Sequence, residues 1–204
     1  MHRKPLLEIL DRYAVVHPGE SLCVDQVRRL VESQSDCFER TCLPGHITAS
    51  AWILSPDRRK ILLTRHRKLN RWLQLGGHAD GDSHVLRVAL REAREESGMT
   101  QFDVISGAPD PLVGDAILPL DLDVHRIPAR GDEPEHAHHD VRYLFVARPG
   151  QPLAISDESI DLGWFDPAAL EPLAPDESLR RLGRKALDRV QADSRRTGEI
   201  PGCE

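Results

Sequence analysis

Three glutamates stand close together in Arg91-Glu92-Ala93-Arg94-Glu95-Glu96-Ser97-Gly98. On a helix, Glu92, Glu95 and Glu96 fall at i, i+3 and i+4 and share one face. Like charges at that spacing destabilise a helix by about 0.2–0.5 kcal/mol per pair, so the arrangement calls for a compensating cation. Mg²⁺ answers that need, because it takes oxygen ligands and commonly joins one or two carboxylates to substrate phosphates. Mn²⁺, which suits the same ligands, is the alternative ion. Just upstream, Gly76, Gly77 and Gly81 let the backbone approach a ligand closely. The carbonyl of Gly76 or Gly77 could complete the metal's shell. The competing interpretation is a solvated acidic face on which Arg91 and Glu95 form an ordinary i,i+4 pair. The glycine loop beside the triplet favours the metal.

Other polar residues could bind what the metal acts on. In His136-Ala137-His138-His139-Asp140-Val141-Arg142, strand geometry puts His138, Asp140 and Arg142 on one face and His139 and Tyr143 on the other. His125, in the preceding strand candidate, lies across from them. Histidine and aspartate are competent ligands for a second metal, but a loose histidine cluster specifies little. The favoured reading makes His125, His138 and Asp140 part of a substrate pocket. His78 and His84 flank the glycine loop, where a donor could reach a phosphate. Arg65, with His46, His66, Arg67, Lys68 and Arg71, forms a local basic stretch that would attract a polyanion. The loop Asp157-Glu158 reads either as a polar turn after Pro152 or as a functional loop, with Glu158 the candidate there.

The elements that must position these groups can be read from periodicity. A helix is expected from Ser83 to Ser97, with Ser83 as N-cap and Gly98 as a left-handed C-cap. Its apolar arc is Val85, Leu86, Ala89, Leu90 and Ala93, and the glutamates border that arc around Val88. Residues 46–54 and 60–65 form a hairpin about Ser55-Pro56-Asp57, and Trp72 to Leu75 is a short strand running into Gly76-Gly77. Later strands are expected at 118–127, 138–147 and 161–165. A short helix opens at Asp166-Pro167, and a final one spans 176–193. Two amphipathic stripes between Pro5 and Arg40, separated at His17-Pro18-Gly19, predict a helical hairpin packed on the main domain or on a second subunit. Strands and helices intermix without a βαβ rhythm, which predicts an α/β (α+β) chain with helices on a mixed sheet. The expected organisation is a helical extension at 1–42, a main domain at 43–193 and a flexible tail at 194–204.

Composition narrows the partners. The 204 residues carry 27 Lys plus Arg against 33 Asp plus Glu, a net charge of −6, which argues against a general nucleic-acid binder. No apolar run approaches the roughly 18 residues of a membrane span. Cys23, Cys37, Cys42 and Cys203 form no C-x-x-C pair, so buried or idle thiols in a cytoplasmic protein are expected.

The stretch from Gly77 to Met99 resembles the Nudix box, Gly-x5-Glu-x7-Arg-Glu-U-x-Glu-Glu-x-Gly-U, where U is apolar. Gly77 matches the first glycine, and Arg91 to Met99 match the whole second half. The likeness extends from about Gly45 to Leu170, including Gly45-His46-Ile47-Thr48 and the strand ending Trp164-Phe165, and omits the N-terminal hairpin. One position departs: Ser83 stands where the family has its first glutamate, so Asp80 or Asp82 would have to partner Arg91 instead. The resemblance implies an α/β/α sandwich and metal-dependent hydrolysis of a nucleoside diphosphate linked to another group. Glu95 and Glu96 would be principal ligands, Glu92 a ligand or the base, and Arg91 the residue that orients them. It also implies a small-molecule nucleotide substrate, with nucleic acid confined to a capped or dinucleotide-like end, and allows a homodimer. The alternative is a nucleotide-binding or regulatory module of the same fold, kept open by Ser83.

Overall fold

The computed structural model describes residues 2–108, 117–173 and 177–197. Eight strands form one mixed sheet: β1 (Gly45–Leu54), β2 (Ile61–His66), β3 (Arg71–Leu73), β4 (Leu75–His78), β5 (Phe102–Ile105), β6 (Asp121–Ile127), β7 (His136–Ala147) and β8 (Ser159–Phe165). At its centre β1 runs parallel to β7 over its full length, from Gly45 opposite Ala137 to Leu54 opposite Val146. The neighbours β2 and β4 pair with β1, and β5 and β6 with β7, all antiparallel. The strand expected at 72–75 is divided between β3, which pairs with β2, and β4, which pairs with β1. β5 is an additional strand, too short and too mixed in character to stand out by alternation.

Alternation along the central strands creates two cores. Ile47, Ala49, Ala51 and Ile53 of β1, with Val141, Tyr143 and Phe145 of β7, pack under helices α1 (Lys4–Val16), α2 (Ser21–Ser33) and α3 (Val85–Ser97). Trp52 and Leu54, with Leu144 and Val146, pack under α4 (Leu170–Leu173) and α5 (Glu177–Thr197). The result is an α/β/α sandwich. The N-terminal hairpin is built into the first layer: Leu6, Leu10, Tyr13, Val24, Val27, Leu30 and Val31 are buried in the same core as the sheet and α3.

α3 begins at Val85 with His84 as its N-cap, so Ser83 lies before the helix and makes no cap bond. Asp82 does that local work instead, accepting from the His84 N–H at 2.9 Å and pairing with Arg87. Gly98 ends the helix at φ 73°, and its N–H donates to the Arg94 carbonyl at 2.9 Å. The buried arc includes Val88 itself with Ala89, Ala93 and Glu96, a rotation of the expected arc that brings the glutamates closer to the core. α5 continues past Asp193 to Thr197; the rest of the expected tail, with Cys203, lies outside the described residues. No helix among the described residues is long and apolar enough to cross a membrane.

Candidate active site

At one end of the sheet, β4 and α3 meet β1, β2 and β7 around a cleft of about 200 Å³. Its lining includes Gly76, Gly77, His78 and Glu96 on one side, Thr64, His66 and Glu158 on another, and Thr48, Ser50, His125, His138 and Asp140 along the sheet. Glu96 is 6% exposed, and its Oε2 accepts from the Gly76 N–H at 2.8 Å. Glu92 sits against Gly77 so tightly that a Cβ at 77 would lie 2.6 Å from its Oε2. Glycine at 77 is therefore what allows that carboxylate to lie on the strand. Glu95 is exposed on the outer edge.

Arg91 ties the two elements together. Its Nη2 donates to the His78 carbonyl at 2.6 Å and to Glu92 Oε1 at 2.7 Å, and its Nε lies 3.9 Å from Glu95 Oε2. Among the described residues no cation lies within ion-pair distance of Glu96. Burial therefore dominates its ionisation and, despite the Gly76 amide, pushes its carboxyl up to about 7, with Glu92, Glu158 and Glu95 adding repulsion. Burial also raises Glu92, against the pull of Arg91. The cluster is a set of oxygen donors with too little positive charge. That is the environment a hard divalent cation completes.

A model of the NUDIX domain matches residues 44–185. The chain belongs to the Nudix family. A NUDIX-family hydrolase from Clostridium perfringens is 26% identical, with a TM-score of 0.55 over 71% of this chain and 97% of that one. An Ap4A hydrolase from C. elegans (17% identical, TM-score 0.56, 72% and 98% covered) shares the fold. So does the dihydroneopterin triphosphate pyrophosphohydrolase of E. coli (14% identical, TM-score 0.52, 68% and 92% covered). No curated protein sequence matches. This Nudix chain is a pyrophosphohydrolase, an enzyme that cleaves a pyrophosphate bond.

Several residues of this Nudix enzyme stand differently from the sequence expectation. Asp80 and Asp82 do not partner Arg91: Asp80 is held by Arg40 at 2.6 and 2.7 Å, and Asp82 by Arg87. Arg65 is turned away from the cleft. The alternation that gives Thr64 and His66 to the cleft puts Arg65 on the other face, where it donates to Asn70. Asp140 borders the cleft but offers it no free oxygen, because Thr48, Ser50 and Arg142 all donate to it. His78, His125 and His138 line the cleft, and His125 pairs in register with His138. Arg67 was legible only as part of a basic stretch. It donates to the carbonyls of Asp157 and Ser159, and so fixes the loop that presents Glu158.

Burial keeps the remaining thiols idle, with Cys23, Cys37 and Cys42 each pushed up to about 11.

Proposed function

We propose that this enzyme hydrolyses the diphosphate bond of a nucleoside diphosphate linked to another group, with Mg²⁺ bound by the carboxylates of α3 and Mn²⁺ able to replace it. The observation that carries this reading is the under-neutralised set Glu92, Glu95 and Glu96 beside the Gly76-Gly77 strand. Glu96 and Glu92 would hold the ion from the inside of the cleft and Glu95 from its outer edge. A backbone carbonyl of Gly76 or Gly77 would serve as the helper. When bound, the ion neutralises charge on the diphosphate and makes water a stronger acid.

The side chains supply the rest. Arg91 keeps Glu92 and the β4 backbone at a fixed distance, so the carboxylates need not reorganise as charge develops. Glu158, exposed at the cleft mouth, is free of the helix hydrogen bonds and suits a proton acceptor for the attacking water. Glu92 remains the other candidate, and its tie to Arg91 makes it the weaker base. His66 accepts from the Leu69 N–H on Nδ1 at 3.3 Å, which leaves its proton on Nε2. With His78 it offers a neutral donor to a phosphate. The likeness to an Ap4A hydrolase supports a substrate of this phosphate-linked class.

Initial rates on a panel of such compounds, with and without Mg²⁺, test the reading. Glu96→Gln keeps the oxygen that meets Gly76 and removes the charge that holds a hard cation. Its turnover should fall at least about 100-fold, the scale of losing one major electrostatic group, while the far-ultraviolet spectrum stays that of the parent. Arg94→Gln, on the opposite face and bonded among the described residues to the Thr100 carbonyl, should stay within about twofold, as surface changes do. Near-parental rates and Mg²⁺ dependence in Glu96→Gln would reduce the cluster to a charged helix face. Tight nucleotide binding with no turnover in the parent would favour the regulatory module.

A further inference from the structure

Beside the carboxylate cluster, three histidines converge from two strands. His46 at the start of β1 pairs in register with His138 of β7, and His136 lies two residues before it on the same face. Ring centroids are 4.9 Å apart for His46–His136 and His46–His138, and 5.2 Å for His136–His138. One ring nitrogen of each lies within 4.8 Å of the others. His46 and His136 are 1% and 5% exposed.

The tautomers are set by the backbone. His46 Nδ1 approaches the Cys42 carbonyl at 3.4 Å, and His136 Nδ1 lies 2.9 Å from the Pro134 carbonyl. A carbonyl can only accept, so Nδ1 carries the proton in both rings and Nε2 presents a lone pair. For His46 that Nε2 is fully enclosed and has no hydrogen-bond partner among the described residues, which costs free energy unless something fills the role. His136 Nε2 stands 3.3 Å from His138 Nε2. Two nitrogens each ~2.0–2.1 Å from one tetrahedral ion are separated by ~3.3–3.4 Å, so this pair already has the spacing of two ligands on one metal. The carboxylate of Glu133, 3.8 Å from His136 Nε2, adds negative charge at the rim.

We propose that His46, His136 and His138 form a transition-metal site, separate from the carboxylate cluster, that takes one Zn²⁺-class ion through three imidazole nitrogens and leaves a fourth position open. Imidazole selects zinc, cobalt, nickel or copper over magnesium, which prefers carboxylate and phosphate oxygen. The two sites therefore differ in chemistry while sharing a wall. The His78 ring lies 5.1 Å from His46 and 5.2 Å from His138, and its carbonyl receives Arg91. The site stands on its own geometry and does not depend on which pyrophosphate the enzyme cleaves.

The test uses full-length protein without a histidine tag, stripped by chelator and titrated with Zn²⁺ or Co²⁺ in excess Mg²⁺. One equivalent of Zn²⁺ should bind per chain, and Co²⁺ should give the visible absorption of a four-coordinate nitrogen-rich site. His138→Ala and His136→Gln should weaken Zn²⁺ at least about 100-fold, judged against the 10- to 100-fold cost of losing a mere supporting contact. Glu96→Gln should leave Zn²⁺ affinity within about threefold, well below that range. Circular dichroism of each variant guards against misfolding, and the cobalt spectrum of the parent needs no variant at all. Absence of stoichiometric Zn²⁺ binding in the parent, or an equal loss in Glu96→Gln, overturns the proposal. Either result leaves the hydrolase reading intact, because none of these measurements is a rate.

Discussion

Two clusters of carboxylates sit within one sandwich, and they are balanced in opposite ways. On the α5 side of the sheet, Asp121, Asp123 and Asp140 surround Arg142, which reaches them at 3.3, 3.0 and 2.9 Å. Arg181 adds contacts at 2.9 Å to Asp121 and Asp123, and Lys185 joins Asp121 to Glu20 of the N-terminal hairpin. Burial alone would raise Asp123, but the hydrogen bond from His125 and the Arg142 and Arg181 guanidiniums hold it well below the usual carboxylate range. On α3, by contrast, Arg91 pairs with Glu92 and Glu95, and among the described residues no cation pairs with Glu96. Charge that must simply be buried is met by permanent cations. Charge left short of them is available to an exchangeable ion, and the electrostatic cost of the metal-free state marks the working site.

Breaking the balanced cluster should have the larger effect. Arg142→Leu would leave Asp121, Asp123 and Asp140 buried around a side chain that can neither donate to them nor carry charge. Removing one partner of a buried ion pair typically costs about 3–5 kcal/mol, and urea denaturation should show a loss of that order. A loss under about 1 kcal/mol would mean that Arg181 and Lys185 suffice and that Arg142 is a passive neighbour. The matching neutralisation on α3 should not destabilise.

The sign of that second effect depends on pH. Glu96 moves from the usual glutamate value of 4.5 to about 7 on folding, so between those values the folded chain binds more protons than the unfolded one. Its stability contribution therefore improves as pH falls through that window, and above it the full cost of ionising a buried carboxylate is present. Gln at 96 is neutral throughout. In chelator, Glu96→Gln should melt higher than the parent at pH 8 by an amount on the order of 1–3 kcal/mol. The advantage should shrink towards pH 4.5. Histidine effects are common to both proteins and cancel in the difference. A gap that does not change with pH would show that packing, not charge, separates them.

How much of this was legible in the sequence follows the same division. The helix, its glycine cap and the glutamate spacing are local, so periodicity and the box motif located Glu92, Glu95, Glu96, Arg91 and Gly77. The mixed sheet followed from the intermixed strands and helices, and the sandwich from the resemblance to the Nudix family. What the sequence could not locate depends on pairing between distant strands. Arg65 and His66 are neighbours with opposite fates, decided by the register of β2. Asp140 looked like a substrate residue until β1 supplied Thr48 and Ser50 to occupy it. His46 lay in the basic stretch by position and beside His136 and His138 only by a pairing across 92 residues. Asp80 and Asp82 are close to Arg91 along the chain, yet Arg40 and Arg87 reach them first.

That last competition sets the smallest expected effect, at Ser83. The residue is half-buried one position before the α3 N-cap and makes no capping bond, so its replacement sacrifices little. A carboxylate there meets the positive end of the helix, which contributes about 0.3–1 kcal/mol at such a position. It would also restore negative charge where the Nudix pattern has it, and neither Asp80 nor Asp82 has done so. Asp82, one residue away, partly offsets the gain by like-charge repulsion, although Arg87 already neutralises it. Ser83→Glu should therefore raise thermal stability slightly and leave Mg²⁺ affinity unchanged or improved by no more than about threefold, the equivalent of that helix-end energy. Isothermal titration with Mg²⁺, alongside a melt in chelator, reads both quantities. A clear loss of Mg²⁺ affinity would show that the end of α3 is already crowded with negative charge. The deficit of cations inferred for the three glutamates would then extend upstream to Asp82, and the serine would be the adjustment that keeps the cluster from excess.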